Sequence, residues 1–169
     1  MRDLPIELLG SPFLRRVAVD VETFDEALRD LVTAMFRTMY RAGGQGLAAP
    51  QVAVSQRIVV IDMPDEDSPA LTLINPRIIE RGRALARFEE GCLSIPGVTA
   101  AVERHTQVVV EAHDVTGTPF TLQAEGALAD CLQHELDHLD GVLYIDHLSP
   151  LKRQLLMRQY RKLDAQRQA

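Results

Sequence analysis

A chain of 169 residues is the length of one domain and can bury one sizeable core. Its 46% hydrophobic and 25% charged content reads as a soluble globular protein, and no apolar run approaches the ~20 residues that span a bilayer. With 5% aromatics, no Trp and a formal net charge of −6, the composition argues against a base-stacking platform and against direct DNA binding. The charge is uneven. Ser149 to Ala169 hold six basic residues against Asp164 alone, a tail of +5 that leaves −11 on the rest. A basic tail on an acidic body points to an acidic or RNA-bearing partner.

The opening residues contain no apolar core of signal-peptide length, so a cytoplasmic location is expected. Cys92 and Cys131 form no CxxC pair, and a structural disulfide is not expected in a reducing compartment.

In chain order, residues 1–22 read as an irregular arm with one short helix or strand. Thr23-Phe24-Asp25-Glu26 has the form of a capping box, and Leu28, Leu31, Val32, Met35, Phe36 and Met39 follow at helical spacing up to Gly43-Gly44. The loop from Gly43 to Gln51 is rich in glycine and alanine. It reads either as a plain helix-to-strand turn or as backbone kept bare for a ligand. Strands are predicted at Arg57–Asp62, Leu71–Asn75 and Arg77–Glu80, the last two separated by Pro76. An acidic loop, Pro64–Pro69, lies between the first two of these. Further strands are predicted at Val98–Val102, Gln107–Ala112 and Phe120–Gln123, with a hairpin turn at Asp114–Thr118. A second helix opens at Gly126 and stops at Gly141. A short strand, Val142–Ile145, follows, and Ser149-Pro150 caps a last helix. This order predicts an α+β fold: one domain over residues 1–169, with mixed or antiparallel sheets around a central helix and with helices near both ends.

That central helix carries His134-Glu135-Leu136-Asp137-His138. Histidines at i and i+4 share one helix face and can grip one metal ion, while Glu135 flanks them and suits a carboxylate that handles the proton of a water. A third ligand is needed. Cys131 lies on the same stripe but ~10 Å along the axis from His138, too far for a metal–sulfur bond of ~2.3 Å. Cys92, beside the flexible Gly91, is free of that constraint. His105, His113 and His147 lack ligand spacing. A divalent metal on Cys92, His134 and His138, with Glu135 as base, predicts hydrolytic attack on a carbonyl.

Three stretches in order, Gly44–Gln51, Glu90–Ser94 and Gln133–Gly141, resemble the GxGLAAPQ, EGCLS and QHExDHLxG motifs of peptide deformylases. The resemblance covers essentially the whole chain. It implies removal of the formyl group from formylmethionine at the N-terminus of nascent chains, releasing formate. The metal on Cys92, His134 and His138 would usually be Fe²⁺, with Zn²⁺, Ni²⁺ or Co²⁺ also accommodated. Glu135 would be the base, and the Gln51 amide and Leu93 N–H the oxyanion donors. Backbone near Gly46 and Gly91 would pair with the substrate, and Arg104 would lie near its groove. The tail is similar to forms whose C-terminal helix docks on the ribosome. Gln45, Ala127 and Asp130 stand where the family commonly has aliphatic residues at the methionine pocket, implying a more polar pocket here. Two other readings remain at this stage: a related metalloamidase or metallopeptidase with altered side-chain preference, and a non-catalytic ribosome-associated module.

Overall fold

The computed structural model describes residues 3–63 and 67–169; the expected loop Pro64–Pro69 falls partly on residues 64–66, outside the described residues. The first helix, α1 (Glu26–Arg41), buries Leu28, Val32, Met35 and Met39. Its cap is Asp25, whose side chain accepts from the Leu28 N–H at 3.0 Å. The capping box expected from Thr23 therefore gives way to the acid standing immediately before the first turn, the position from which a side chain reaches the third helical amide. The helix ends at Arg41, and Gly43, at φ +71°, carries the chain away.

Among the described residues seven strands form in chain order: β1 (Gly46–Ala48), β2 (Ile58–Ile61), β3 (Leu71–Arg81), β4 (Leu85–Cys92), β5 (Ile95–His105), β6 (Gln107–His113) and β7 (Pro119–Glu125). They make a five-stranded sheet in the order β1-β2-β3-β6-β7 and a separate two-stranded ribbon of β4 and β5. Every pairing within both sheets is antiparallel. Val19 and Gln56 form an isolated parallel bridge outside the sheets.

The large sheet lies between two helices. Ile58, Val60 and Ile74 pack with Met35 and Met39 of α1. Val59, Ile61 and Leu73 face the opposite way, onto Leu132 and Leu136 of α2 (Gly126–Leu139). Alternation along β2 thus feeds two cores, which is why all four of its residues are buried. Each fully buried aliphatic side chain of this kind stabilises the fold by about 1.5–3 kcal/mol. A third cluster joins Ile95, Val98 and Val102 of β5 to Leu143, Tyr144 and Ile145 and to Leu156 and Tyr160 of α3 (Pro150–Gln168). The Ser149 hydroxyl caps α3 by accepting from the Lys152 N–H.

Three expected local features differ. Pro76 does not divide two strands: β3 runs through it, with the register shifting between Ile74 and Arg77. Asn75 takes a left-handed φ of +52° there, and its amide exchanges two hydrogen bonds with the Val21 backbone, so the arm absorbs the irregularity. Val142–Ile145 is no strand; a 3-10 turn spans Tyr144–His147 instead, because its side chains plug the third core rather than join a ladder. Strand β4 was unforeseen, and it carries both Glu90 and Cys92.

Candidate active site

Helix α2 places His134 and His138 one turn apart on the face that meets the β4–β5 ribbon. Cys92, at the last position of β4, reaches across so that its Sγ lies 3.3 Å from His138 Nε2. The donor atoms of Cys92, His134 and His138 all lie within 4.8 Å of one another. Three soft-to-borderline ligands converging at that separation fit the first shell of one Zn²⁺- or Fe²⁺-sized cation, at about 2.0–2.3 Å per bond.

His134 is held from behind. Its Nδ1 meets Glu90 Oε1 at 2.6 Å, which leaves Nε2 for the ligand position. Its ring also stacks on Tyr144, with centroids 5.9 Å apart. Glu90, only 3% exposed, is gripped by Arg104: Nε donates to Oε2 at 2.8 Å and Nη2 to Oε1 at 3.0 Å. Burial opposes the Glu90 charge, but hydrogen bonds from His134, Arg104 and Asp130 bring its pKa down to about 2. Arg104 also donates to Asp137 at 2.7 Å, and Asp137 in turn meets His147 Nε2 at 2.8 Å. Gln133 fastens α2 to β5, accepting from the His105 N–H and donating to the His105 carbonyl.

Glu135 points away from this cluster. It is buried, its Oε2 has no hydrogen-bond partner, and it lines a cavity of about 770 Å³ that also reaches Cys92 and His134. Burial is the main cause that pushes its carboxyl up to about 7; the neighbouring His134 charge pulls the other way and Glu90 adds to the rise. A carboxyl poised there can both take and return a proton near neutral pH.

The glycine-rich stretch is not a plain turn. It forms β1, the edge of the large sheet, and its backbone closes on the site. A Cβ on Gly46 would sit 2.7 Å from Glu135 Oε1 and 3.0 Å from Cys131 Sγ. One on Gly44 would sit 2.6 Å from the Leu93 side chain. Gln51 follows in a 3-10 turn. The Ala48 N–H fixes its carbonyl at 2.9 Å, which turns the amide NH₂ toward Ser94 Oγ at 3.1 Å and Cys92 Sγ at 3.5 Å.

Of the residues expected at the site, Cys92, His134, Glu135, Gln51, Leu93, Gln45, Gly46, Gly91 and Asp130 all line the cavity; His138 closes the ligand triangle behind them. Arg104 does not line it. Its guanidinium is 5% exposed and spent on Glu90 and Asp137, because its register on β5 points it inward beside Val102. Glu90, Gln133, Asp137, Tyr144 and His147 were not foreseen as supports. A signal for Glu90 was available: an acid two residues before a cysteine shares its face once the segment is read as a strand.

A cysteine sulfur and two imidazoles beside a poised carboxyl, set at a cleft between an antiparallel sheet and a ribbon, define a metallohydrolase of α+β fold. The profile of the polypeptide deformylase family matches residues 3–154. The chain is 46% identical over 165 residues to a peptide deformylase of Brucella suis biovar 1 (strain 1330), covering 96% of this chain and 94% of that one. It is 50% identical over 150 residues to one of Cellvibrio japonicus (strain Ueda107), covering 89% of each. The crystal structure of a peptide deformylase from Legionella pneumophila superposes with a TM-score of 0.93 at 45% identity over 98% of both chains. One from Synechococcus elongatus in complex with actinonin superposes at 0.88 and 44% identity, covering 92% of this chain and 86% of that one. The chain belongs to the peptide deformylase family, and its activity is the hydrolytic removal of the N-formyl group from nascent chains. The metalloamidase alternative is not favoured.

Proposed function

We propose that residues 1–169 act as one catalytic domain that deformylates formylmethionine at the N-terminus of nascent chains in the cytoplasm, through one divalent cation on Cys92, His134 and His138. Fe²⁺ is the proposed native ion, with Zn²⁺, Ni²⁺ and Co²⁺ able to replace it. The observation that carries this reading is the convergence of those three donors within 4.8 Å beside Glu135, whose Oε2 has no other partner. The cation, when bound, supplies Lewis-acid polarisation and makes a coordinated water acidic. Glu135 accepts the proton released as the water attacks the formyl carbon, then passes it to the leaving amine, giving formate and a free N-terminus. The Gln51 Nε2–H and the Leu93 N–H stabilise the charge that develops on the formyl oxygen. The fixed Ala48–Gln51 hydrogen bond supports this role, since it holds the amide with its donor toward Cys92. The outer edge of β1 at Gly46, the terminal strand of the large sheet, and the backbone at Gly91 pair with the substrate peptide. Gln45, Ala127 and Asp130 line the same cavity and form the wall for its first side chain.

Among the described residues no helix is long and apolar enough to cross a membrane. The exposed cations of α3, Lys152, Arg153, Arg158, Arg161 and Lys162, support docking of this helix on the RNA-rich surface of the ribosome. The test of the catalytic reading is formate release from formyl-Met peptides with metal analysis on the same anaerobic preparation. Metal-loaded protein that releases no formate would overturn it.

A further inference from the structure

We propose that the N-terminal arm positions the two oxyanion donors, with the Glu7 and Leu9 amides as the clamp. The inference rests on the reading of Gln51 and Leu93 as the groups that stabilise the formyl oxygen. Those donors stand on separate elements. Gln51 lies in the 3-10 turn Ala49–Val52, whose Ala49 and Val52 belong to the core under α1. Leu93 lies in the Leu93-Ser94 turn between β4 and β5, and Ile95 just after it belongs to the third core. The arm spans the two. The Glu7 N–H donates to the Gln51 carbonyl at 2.7 Å, and the Leu9 N–H donates to the Ser94 carbonyl at 2.9 Å. Its apolar anchors divide the same way: Leu4 packs on the α1 core and Leu9 on the third core. Ile6, just before the first of these bonds, lines the substrate cavity.

Both carbonyls belong to residues sealed from water, Gln51 at 1% exposure and Ser94 at 0%. A buried carbonyl needs a partner, so these bonds are fixed parts of the site. The side chains are linked as well, since Gln51 Nε2 donates to Ser94 Oγ at 3.1 Å. The arm thus closes a loop of contacts: Glu7 to Gln51, Gln51 to Ser94, and Ser94 back to Leu9. Such a loop sets the spacing of Gln51 Nε2 and the Leu93 N–H before the reaction begins. Donors fixed in advance are what stabilise a charge that develops only in the transition state. Releasing one bond lets the turn that carries Leu93 shift against Gln51. Losing an oxyanion donor costs about 10²- to 10³-fold in kcat, and displacing one is expected to cost about 10- to 100-fold.

Leu9→Pro removes one bond of the clamp with little other change to the backbone. The Ser11 N–H donates to the Leu8 carbonyl at 2.9 Å and Gly10 has φ +104°, so Leu8–Ser11 form a turn of type II character. The second position of such a turn, Leu9 here, takes a φ of about −60°, the value proline prefers. In full-length, Zn²⁺-loaded protein, Leu9→Pro is expected to lower kcat for formate release about 10- to 100-fold, with KM and Zn²⁺ content within about twofold of the parent. Leu9→Ala, which loses the side chain but keeps the amide, should stay within about threefold in kcat. Added to Gln51→Ala, Leu9→Pro should cost less than it costs the parent, because the two act as a unit. Parental kcat in Leu9→Pro overturns the proposal. So does a Leu9→Ala variant as slow as Leu9→Pro, a loss of Zn²⁺ that accounts for the fall, or costs that simply multiply in the Gln51→Ala background. Should Leu9→Pro fail to fold, Glu7→Pro, which removes the other bond, takes its place against Glu7→Ala with the same expected outcomes. Full turnover by Gln51→Ala alone overturns the reading of the donor itself, which separates that failure from the failure of the arm's role.

Discussion

Helix α2 and helix α3 both carry several charged residues, and they use them in opposite ways. Beside α2 a set of charges is drawn into the interior and paired: Arg104 lies between Glu90 and Asp137, and Glu90 lies between Arg104 and His134. On α3 the cations stand in solvent, and only Leu156 and Tyr160 are buried. Its Leu151 and Leu155 are 65% and 55% exposed. A buried ionic network costs several kcal/mol when one partner is lost, whereas an exposed pair contributes about 0–1 kcal/mol. Charge in the first region therefore sets geometry; charge in the second is available to a partner.

The largest expected effect falls inside the first region. Glu135→Ala should lower formate release about 10²- to 10⁴-fold while metal content measured by atomic absorption stays that of the parent. Near-parental turnover would remove Glu135 from the chemistry. Next, Arg104→Leu should lower the unfolding free energy by about 3–5 kcal/mol in urea, since it strands Glu90 and Asp137, whereas Arg158→Leu on α3 should change it by less than about 0.5 kcal/mol. Equal costs at the two positions would break the contrast between the helices.

A pH series sharpens the same contrast. Glu90 has a folded-state pKa of about 2 against an ordinary 4.5. Because the folded value is the lower one, its contribution is fully present above about 4.5 and is lost as the pH falls toward 2. Stability measured between those limits should fall with acid in the parent and fall less in Glu90→Gln. The smallest effect on the fold is expected from reversing Arg158, Arg161 and Lys162 to Glu. Thermal stability and formate release from a short peptide should be unchanged, while salt-sensitive co-sedimentation with ribosomes should weaken. Unaltered pelleting would end the docking proposal. Charge reversal serves better than truncation here, because Leu156 and Tyr160 belong to the third core.

Much of the site was legible because its signals are local. His134 and His138 declare a shared face by spacing alone, and helical reach removed Cys131 in favour of Cys92. Capping went astray by two residues because Thr23 and Asp25 both carry cap oxygens, and only the realised backbone chooses between them. Strand β4 escaped notice because its sequence, Leu-Ala-Arg-Phe-Glu-Glu-Gly-Cys, mixes charges with a glycine and lacks a β-branched run. Its order comes from the ladder with β5 and from Glu90's partners.

By itself the sequence determined the helices, the shared face of His134 and His138 with Glu135 beside it, and the basic tail, all of which depend on residues within a few positions of one another. Only the tertiary structure decided what stands behind them. Glu90 meets His134 across 44 positions, Arg104 meets Asp137 across 33, and Gln51 meets Cys92 across 41. Such partners are chosen by which strand crosses which helix, and no local periodicity encodes that crossing. The same crossing turned Arg104 from an expected groove residue into the buried link between β5, β4 and α2, because its place in the β5 alternation points it at the core.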